Sequence, residues 1–578
     1  MSSDIPRPEH PRPQRRRDTW QSLNGTWEFA FDFGKSGTER GLPEADGLDQ
    51  EITVPFPPES ELSGIGYTDF IPAVWYRREF EVPPDWLDGR LLCHFGAVDY
   101  AAEIWANGEH IGSHQGGYTP FTVDLTDAVG PGRNVLTVSV EDDVRSPHQP
   151  SGKQSTEYES AGVMYTRITG IWQSVWLEPV PEPYIGPIHL RPHPDDGSVS
   201  VEAEIIGTNT DTEISADVSL DGRSVGNATL PVAGRADGRI QLEEVRQWSP
   251  ESPALYDIEL TLLENGTPID TLHSYFGLRS VHVENGTLYL NGEPTFQRLV
   301  LDQGYYPDGL YTAPSDDALR TDIELAQEMG FDGARLHQKV FEPRYLYWAD
   351  QLGFLVWGEF PDWGIDYGDL SVLSPLLREW LAVLERDRNH PAVVGWTPFN
   401  ETPHDQDDNL LLTVARVTKS VDPSRPIIDA SGYHHVETDV IDIHDYTQDV
   451  AEFRDRYARL AAGKVITFDG DRIQEAYDRD ATYVSEYGGI WWNPEAEEGW
   501  GYGDRPEDAE DFLSRYRGLT EALLEHPTIS ALCYTQLYDI EQEVNGLYTY
   551  DREPKFDPDS VREITAQPAT LPATDSDH

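Results

Sequence analysis

An antiparallel β-sandwich, an immunoglobulin-like β-sandwich and a (β/α)8 barrel make up the fold that the sequence predicts, a multidomain β plus α/β chain. Three observations predict it. The 578 residues exceed what one core fills, so the chain divides into several domains. From Trp20 to Pro181, and again from Glu182 to Arg279, short segments alternate apolar and polar residues with turns between them. After Arg279 the rhythm changes to strand, then helix, repeated as far as Thr565.

In the first region GTWEFAF, VWYRREFEV, RLLCHFGAV, AAEIWANGEHIG, NVLTVSVEDD and GIWQSVWLEPV read as strands, with turns such as ANGEH. In the second, VSVEAEII, EISADVSL and LYDIELTLL are spaced as in a small immunoglobulin-like sandwich. The barrel strands are expected, in order, at FQRLVLD, DGARLH, FLVWGEF, VVGWTPFNE, PIIDAS, DVIDIHDY, TYVSEYGG and ISALCYTQL. Helical segments fall between several of them; SDDALRTDIELAQEMG has Ser315 as its N-cap and Gly330 at its C-terminal stop. The boundaries are therefore 19–181, 182–279 and 280–565, with the Pro-rich start (1–18) and the end (566–578) expected as disordered tails.

Forty-three basic residues stand against 103 acidic ones, a formal charge of −60. Such a field repels nucleic acid and anionic lipid and argues against a polyanionic substrate. The acidity is spread along the whole chain, and only six of the basic residues are lysines. This pattern resembles proteins that work in molar salt, where the Debye length falls from about 10 Å to about 3 Å. Fold and activity are accordingly expected to need roughly molar salt. Full activity and an unchanged Tm in dilute buffer would overturn the halophilic reading. Cys93 and Cys533 lie on different expected domains, so no disulfide framework follows. There is no apolar run long enough for a membrane span, and the arginine run near the start lacks the apolar stretch of a signal peptide, so a cytoplasmic location is expected.

Chemistry in such a barrel sits at the C-terminal ends of the strands. Asn400 and Glu401 close the expected fourth strand, and Glu486 closes the seventh. Two carboxylates on opposite walls of one barrel mouth are the equipment of glycoside hydrolysis, one as acid/base and the other as nucleophile or base. With 103 acidic residues a glutamate at one strand end carries little information; the conjunction carries more.

From about Thr19 to Lys555 the chain resembles glycoside hydrolase family 2, the family of β-galactosidases, β-glucuronidases and β-mannosidases. YTRITGIWQSVWLEPV is similar to its first-domain signature, FGLRSV to its junction into the barrel, GWTPFNE and SEYGG to its catalytic motifs, and NGLYTYDREPK to its closing segment. The resemblance implies a jelly-roll sugar-binding-like domain, an immunoglobulin-like domain and a catalytic TIM barrel. It implies Glu401 as acid/base, Glu486 as nucleophile, Asn400 as the partner of the sugar 2-hydroxyl and Arg335 as the cation beside the nucleophile. Tyr446 matches a tyrosine next to the nucleophile, and Glu359 an acidic position at the barrel mouth. His337 falls in the segment that shapes the sugar subsite. His444, beside Asp445, either faces the sugar or is a core histidine, and Trp396, Trp357, Trp491 and Trp492 either stack on sugar or pack.

The pattern breaks in three places. Family members acting on galactosides or glucuronides commonly carry Ser-His-Tyr-Pro where this chain has His337, Gln338 and Lys339. The Asn-x-Lys-Gly of β-glucuronidases is replaced by Glu543, Val544, Asn545 and Gly546. Tyr534 or Thr535 stands for a tryptophan on the last strand. The expected activity is therefore that of a retaining exo-β-glycosidase on small neutral glycosides, β-galactosidase-like first, with glucuronide, arabinoside, galactofuranoside and mannoside as alternatives. A catalytically silent carbohydrate-binding protein and a transglycosylase are the rival readings. A small carbohydrate is the expected partner, a homo-oligomer is allowed, and no cofactor or metal is expected.

Overall fold

In the computed structural model the structure describes residues 5–207, 212–464, 466, 481–493 and 498–571. The first region forms a six-stranded antiparallel sheet in the spatial order Gln50–Val54, Gly25–Phe31, Ala73–Val82, Gly132–Glu141, Ala101–Ala106, Glu109–Gln115. It packs on a four-stranded sheet built around Arg90–Phe95 and Val175–Val180. Alternate residues from both, among them Trp27, Phe29, Tyr76, Val138, Cys93 and Leu177, fill the space between. In the second region a three-stranded sheet faces a four-stranded one. Val199, Val201, Ala203 and Ile205 alternate inward from one, and Ile258, Leu260 and Leu262 from the other.

Seven parallel strands follow, curled into a barrel. They run Gln297–Asp302, Gly333–Leu336, Leu355–Glu359, Val393–Thr397, Ile441–Asp445, Ala481–Gly488 and Ala531–Thr535. The last pairs with the first, Gln297 opposite Ala531. The expected fifth strand, PIIDAS, is not continuous. It meets the fourth strand through isolated bridges, Trp396 opposite Ile427 and Asn400 opposite Ser431. On its other side, Ser431 and Gly432 bond to the Asp442 side chain. Pro426 has no N–H to give to a ladder, which accounts for part of the interruption. The helix capped by Ser315 spans Asp316–Glu328, with Gly330 in the left-handed region just beyond its C-cap Met329.

The start of the chain is not a tail where it is described. Arg7 is buried and donates to both carboxylate oxygens of Glu342 in the barrel, at 2.9 and 2.6 Å. Arg17 links Glu178 of the first sandwich to Asp270 of the second. Arg16 exchanges backbone hydrogen bonds with His273. The segment therefore stitches three domains: Arg17 finds two buried carboxylates, and breaking such a pair costs about 3–5 kcal/mol, while Arg7 finds the partly buried Glu342. At the other end Thr570 N donates to Leu524 O and Arg298 to Gln567 O, so residues 566–571 are also attached, while 572–578 lie outside the described residues. Cys93 and Cys533 are both buried and free. Among the described residues no helix is long and apolar enough to cross a membrane.

Candidate active site

Arg335, on the second barrel strand, organises the strand ends. Its side chain is fully buried and serves three partners: Nε donates to Glu359 Oε2 at 2.6 Å, Nη1 to Glu486 Oε1 at 2.9 Å and Nη2 to Asn400 Oδ1 at 2.6 Å. The rigid guanidinium fork suits this better than a lysine, whose single ammonium cannot hold three fixed directions. Burial opposes its charge, but Glu359 and Glu486 outweigh that and hold its pKa well above the ordinary value. Since Arg335 occupies Asn400 Oδ1, the amide orientation is set, and Asn400 Nδ2 is left buried with no partner among the described residues. A free, oriented N–H at the barrel mouth is a donor waiting for a hydroxyl.

Glu401 follows with φ 48°, a left-handed conformation rare for a residue with a side chain. Its N–H is held by Ser431 O at 2.8 Å. His444 stands between the two glutamates, with Nδ1 2.8 Å from Glu401 Oε1 and Nε2 3.4 Å from Glu486 Oε1. Burial disfavours its charge, yet Glu486 and Glu401 prevail and raise its pKa. Gly432, at φ 99°, lets the chain pass within reach of this ring; a Cβ there would meet His444 Cε1 at 2.9 Å. A carboxylate oxygen of Glu401, a ring nitrogen of His444 and a carboxylate oxygen of Glu486 lie within 4.8 Å of one another. Such a trio is also close enough to converge on a metal ion, although Arg335 and Tyr446 already donate to the two Glu486 oxygens.

The cavity above these groups has a volume of about 390 Å³. Tyr446, whose pKa is pushed far up by burial and then by Glu486, stays a phenol that donates to Glu486 Oε2, and its ring stacks on Tyr502 at 3.5 Å. Gly489 permits this packing, since a Cβ there would strike Tyr502 at 2.5 Å. The first sandwich closes the cavity. Ser151 N donates to Trp363 O, and Gly152, at φ 56°, has no room for a Cβ against Gln338 O at 2.3 Å. That contact carries Lys153 onto the wall, its Nζ 3.9 Å from the centre of the Trp363 ring. Burial lowers the Lys153 pKa, against the pull of Glu543 and Glu486, and no hydrogen bond or ion pair reaches its ammonium among the described residues. Tyr165 and Asn545 donate to the two oxygens of Glu543, a second wall residue whose pKa burial raises.

Of the residues expected at the site, Asn400, Glu401, Glu486, Tyr446 and His337 line the cavity. Arg335, Glu359 and His444 lie beneath it and touch those that do. Glu359 pairs with Arg335 and stands 3.0 Å from His337 Nδ1, so it positions rather than faces a ligand. Burial, then Lys153 and Arg335, push the His337 pKa well below its ordinary value, leaving a neutral ring. Trp396 is a correction. It points away from the mouth into the helix layer, where Nε1 donates to Asp422 at 2.9 Å and the ring meets Trp380 edge-on at 5.7 Å. Trp357 is likewise core, bonded to Gln297, and Trp491 and Trp492 are not on the cavity wall. Of the last-strand pair, Thr535 faces the cavity, and Tyr534 packs outside against Tyr487 and Tyr516. Lys339 points elsewhere, donating to the carbonyls of Gly304 and Tyr311. Lys153, Trp363, Trp500 and Tyr502 escaped the sequence reading; the only advance signal was a lysine in a chain that has six.

Two glutamates facing one another across the mouth of an α/β barrel, behind two β-sandwiches, define a multidomain barrel protein of the carbohydrate-processing kind. Three family models extend over the same regions: "Glycosyl hydrolases family 2, sugar binding domain" at residues 20–181, "Glycosyl hydrolases family 2" at 184–279, and "Glycosyl hydrolases family 2, TIM barrel domain" at 281–462. The chain belongs to glycoside hydrolase family 2. It is 26% identical over 467 residues to a β-galactosidase of Vibrio vulnificus, covering 73% of this chain and 44% of that one. It is 27% identical over 441 residues to a β-glucuronidase of Paenibacillus borealis, covering 70% of this chain and 72% of that one. The chain thus spans less than half the length of the β-galactosidase. Its fold is shared with β-glucuronidase structures from Ruminococcus gnavus (TM-score 0.78, 19% identity, 97% of this chain and 100% of that one) and Bifidobacterium dentium (TM-score 0.79, 19% identity, 98% and 99%).

Proposed function

We propose that the chain is a retaining exo-β-glycosidase that removes the terminal sugar of small neutral glycosides by double displacement. The observation that carries this is the approach of the Glu401 and Glu486 oxygens to within 4.8 Å. Retaining enzymes hold their carboxyl groups about 5–5.5 Å apart, whereas inverting ones leave about 6.5–9.5 Å for a water. In the first step a Glu486 oxygen attacks the anomeric carbon while Glu401 gives its proton to the departing oxygen. In the second, Glu401 takes a proton from water, which attacks the same carbon and releases Glu486. Asn400 Nδ2 donates to the 2-hydroxyl, a contact that strengthens as the ring flattens. Lys153, Gly162 and Val163 of the first sandwich line the cavity, which favours a terminal sugar over an internal one.

The neutral reading is supported by Glu543, a carboxylate suited to accept from sugar hydroxyls, and by the absence of Lys339 from the wall. A second reading, an acidic sugar, draws on the Lys153 ammonium. A panel of aryl β-glycosides in molar KCl separates them. Galactoside, or another neutral glycoside, is expected to be best and glucuronide poor, and Lys153→Ala is expected to raise KM for the best substrate by roughly 10-fold to 100-fold. Glucuronide as best substrate, collapsing in Lys153→Ala, overturns the neutral reading in favour of the second. No turnover on any glycoside returns the chain to a silent carbohydrate binder.

A further inference from the structure

A second cavity, of about 240 Å³, lies where the N-terminal segment, both sandwiches and the barrel meet, and shares no wall residue with the catalytic one. Its polar wall includes Arg12, Gln14 and Arg15 from the segment and Arg386 from the barrel, with Glu385 the only carboxylate on the wall among the described residues. Of the three guanidinium groups, Arg386 is matched by Asp387 and Arg12 stands 3.9 Å from Glu178, so Arg15 is the one with no ion pair among the described residues, in a chain of net −60. Part of this polar lining is unspent. Arg12 Nε, Arg15 Nε and Arg386 Nη1 are buried with no partner among the described residues, as are both amide atoms of Gln14, itself only 8% exposed. Arg386 uses Nε and Nη2 on Asp387 and the Phe341 carbonyl, which leaves Nη1 over. The Arg15 side chain has no hydrogen bond or ion pair among the described residues. Buried polar groups are almost always bonded, so five unpartnered atoms around one cavity make it suited to a polar ligand. Burial and then Arg15, against Glu178, hold Arg12 down to about 9, still a cation at neutral pH.

We propose that this hollow binds a phosphate group, as free orthophosphate or as the phosphomonoester of a sugar. Guanidinium forks match tetrahedral oxyanions, and the Arg15 guanidinium has its donors to spare. Gln14 offers both a donor and an acceptor; hydrogen orthophosphate, which keeps an O–H, satisfies both, whereas sulfate and the dianion of a monoester only accept, and the ester has its sugar hydroxyls for the second contact. Bound there, the anion ties the N-terminal segment to all three domains, and it stabilises the folded chain by mass action. This inference is independent of the glycosidase reading.

The test uses the full chain, with ionic strength fixed by KCl. Orthophosphate, sulfate and a hexose monophosphate are titrated by isothermal calorimetry and by Tm. Orthophosphate is expected to saturate one site and, at a hundred-fold excess over Kd, to raise Tm by roughly 2–4 °C. Sulfate is expected to bind at least ten-fold more weakly. Arg15→Gln removes a charge without breaking a native bond and is expected to weaken phosphate at least ten-fold at an unchanged ligand-free Tm; Gln14→Leu is expected to erase the preference over sulfate. Tighter binding of the hexose monophosphate assigns the site to the ester, and equal or weaker binding to the free ion. Absence of saturable binding to the unaltered chain, or unchanged binding in both variants, overturns the proposal.

Discussion

Glu486→Ala is expected to abolish turnover on every aryl β-glycoside, with kcat falling by roughly a million-fold, as when other covalent nucleophiles are removed. The loss is independent of the leaving group, because without the carboxylate no glycosyl-enzyme forms from any substrate. The geometry gives Glu486 no substitute: Glu359 is turned down onto Arg335, and Glu543 is held by Tyr165 and Asn545. The substitution also leaves the Arg335 guanidinium short of one partner, so the fold is checked by Tm, and Glu486→Gln repeats the test with the volume kept. A folded Glu486→Ala protein retaining a hundredth of the activity sinks the assignment.

The strand ends were readable because a barrel forces its chemistry to one rim, so a residue's place in the strand order fixes its place in space. That rule puts Glu401 and Glu486 at the mouth, while their division into acid/base and nucleophile is what the family resemblance implies. Trp396 did not yield to it. The strand Val393–Thr397 is buried on both faces, and where alternation is lost a tryptophan's direction, to the mouth or to the helices, leaves no trace in the sequence. Lys153 was illegible for another reason. It reaches the cavity across a domain interface, through the contact of Gly152 with Gln338, and no local pattern announces a contact nearly two hundred residues away in the chain.

The N-terminal segment shows the same limit from the side of composition. Proline and arginine in MSSDIPRPEHPRPQRRRDTW read as solvent-loving, yet Arg7 and Arg17 are buried on Glu342, Glu178 and Asp270. In a chain with 103 acidic residues, an arginine is the scarce partner for carboxylates drawn into domain interfaces. Composition counts the charges and is silent about which of them meet.

Glu401→Ala is expected to divide substrates by leaving group. Dinitrophenolate departs with little need of a proton, so glycosylation of Glu486 by a dinitrophenyl glycoside survives, while an alkyl glycoside slows by about 10²–10⁴-fold, the contribution of general acid catalysis. The second step then limits, since water has lost its base, and the glycosyl-enzyme accumulates as a burst of phenolate. Azide attacks that intermediate without general-base help and is expected to restore turnover, giving the β-glycosyl azide. Azide rescue of Glu486→Ala, where the nucleophile is missing, is expected to give the α-azide instead. The placement of Glu401 supports this division of labour. Its φ of 48° and the Ser431 hydrogen bond aim the side chain from the rim of the fourth strand, and His444 holds the carboxyl at 2.8 Å. A segment so constrained keeps its backbone when only the carboxyl is lost, so the variant reports on proton transfer rather than on folding. Exchange of the two azide anomers, or equal slowing of dinitrophenyl and alkyl glycosides, would reverse the roles of the two glutamates.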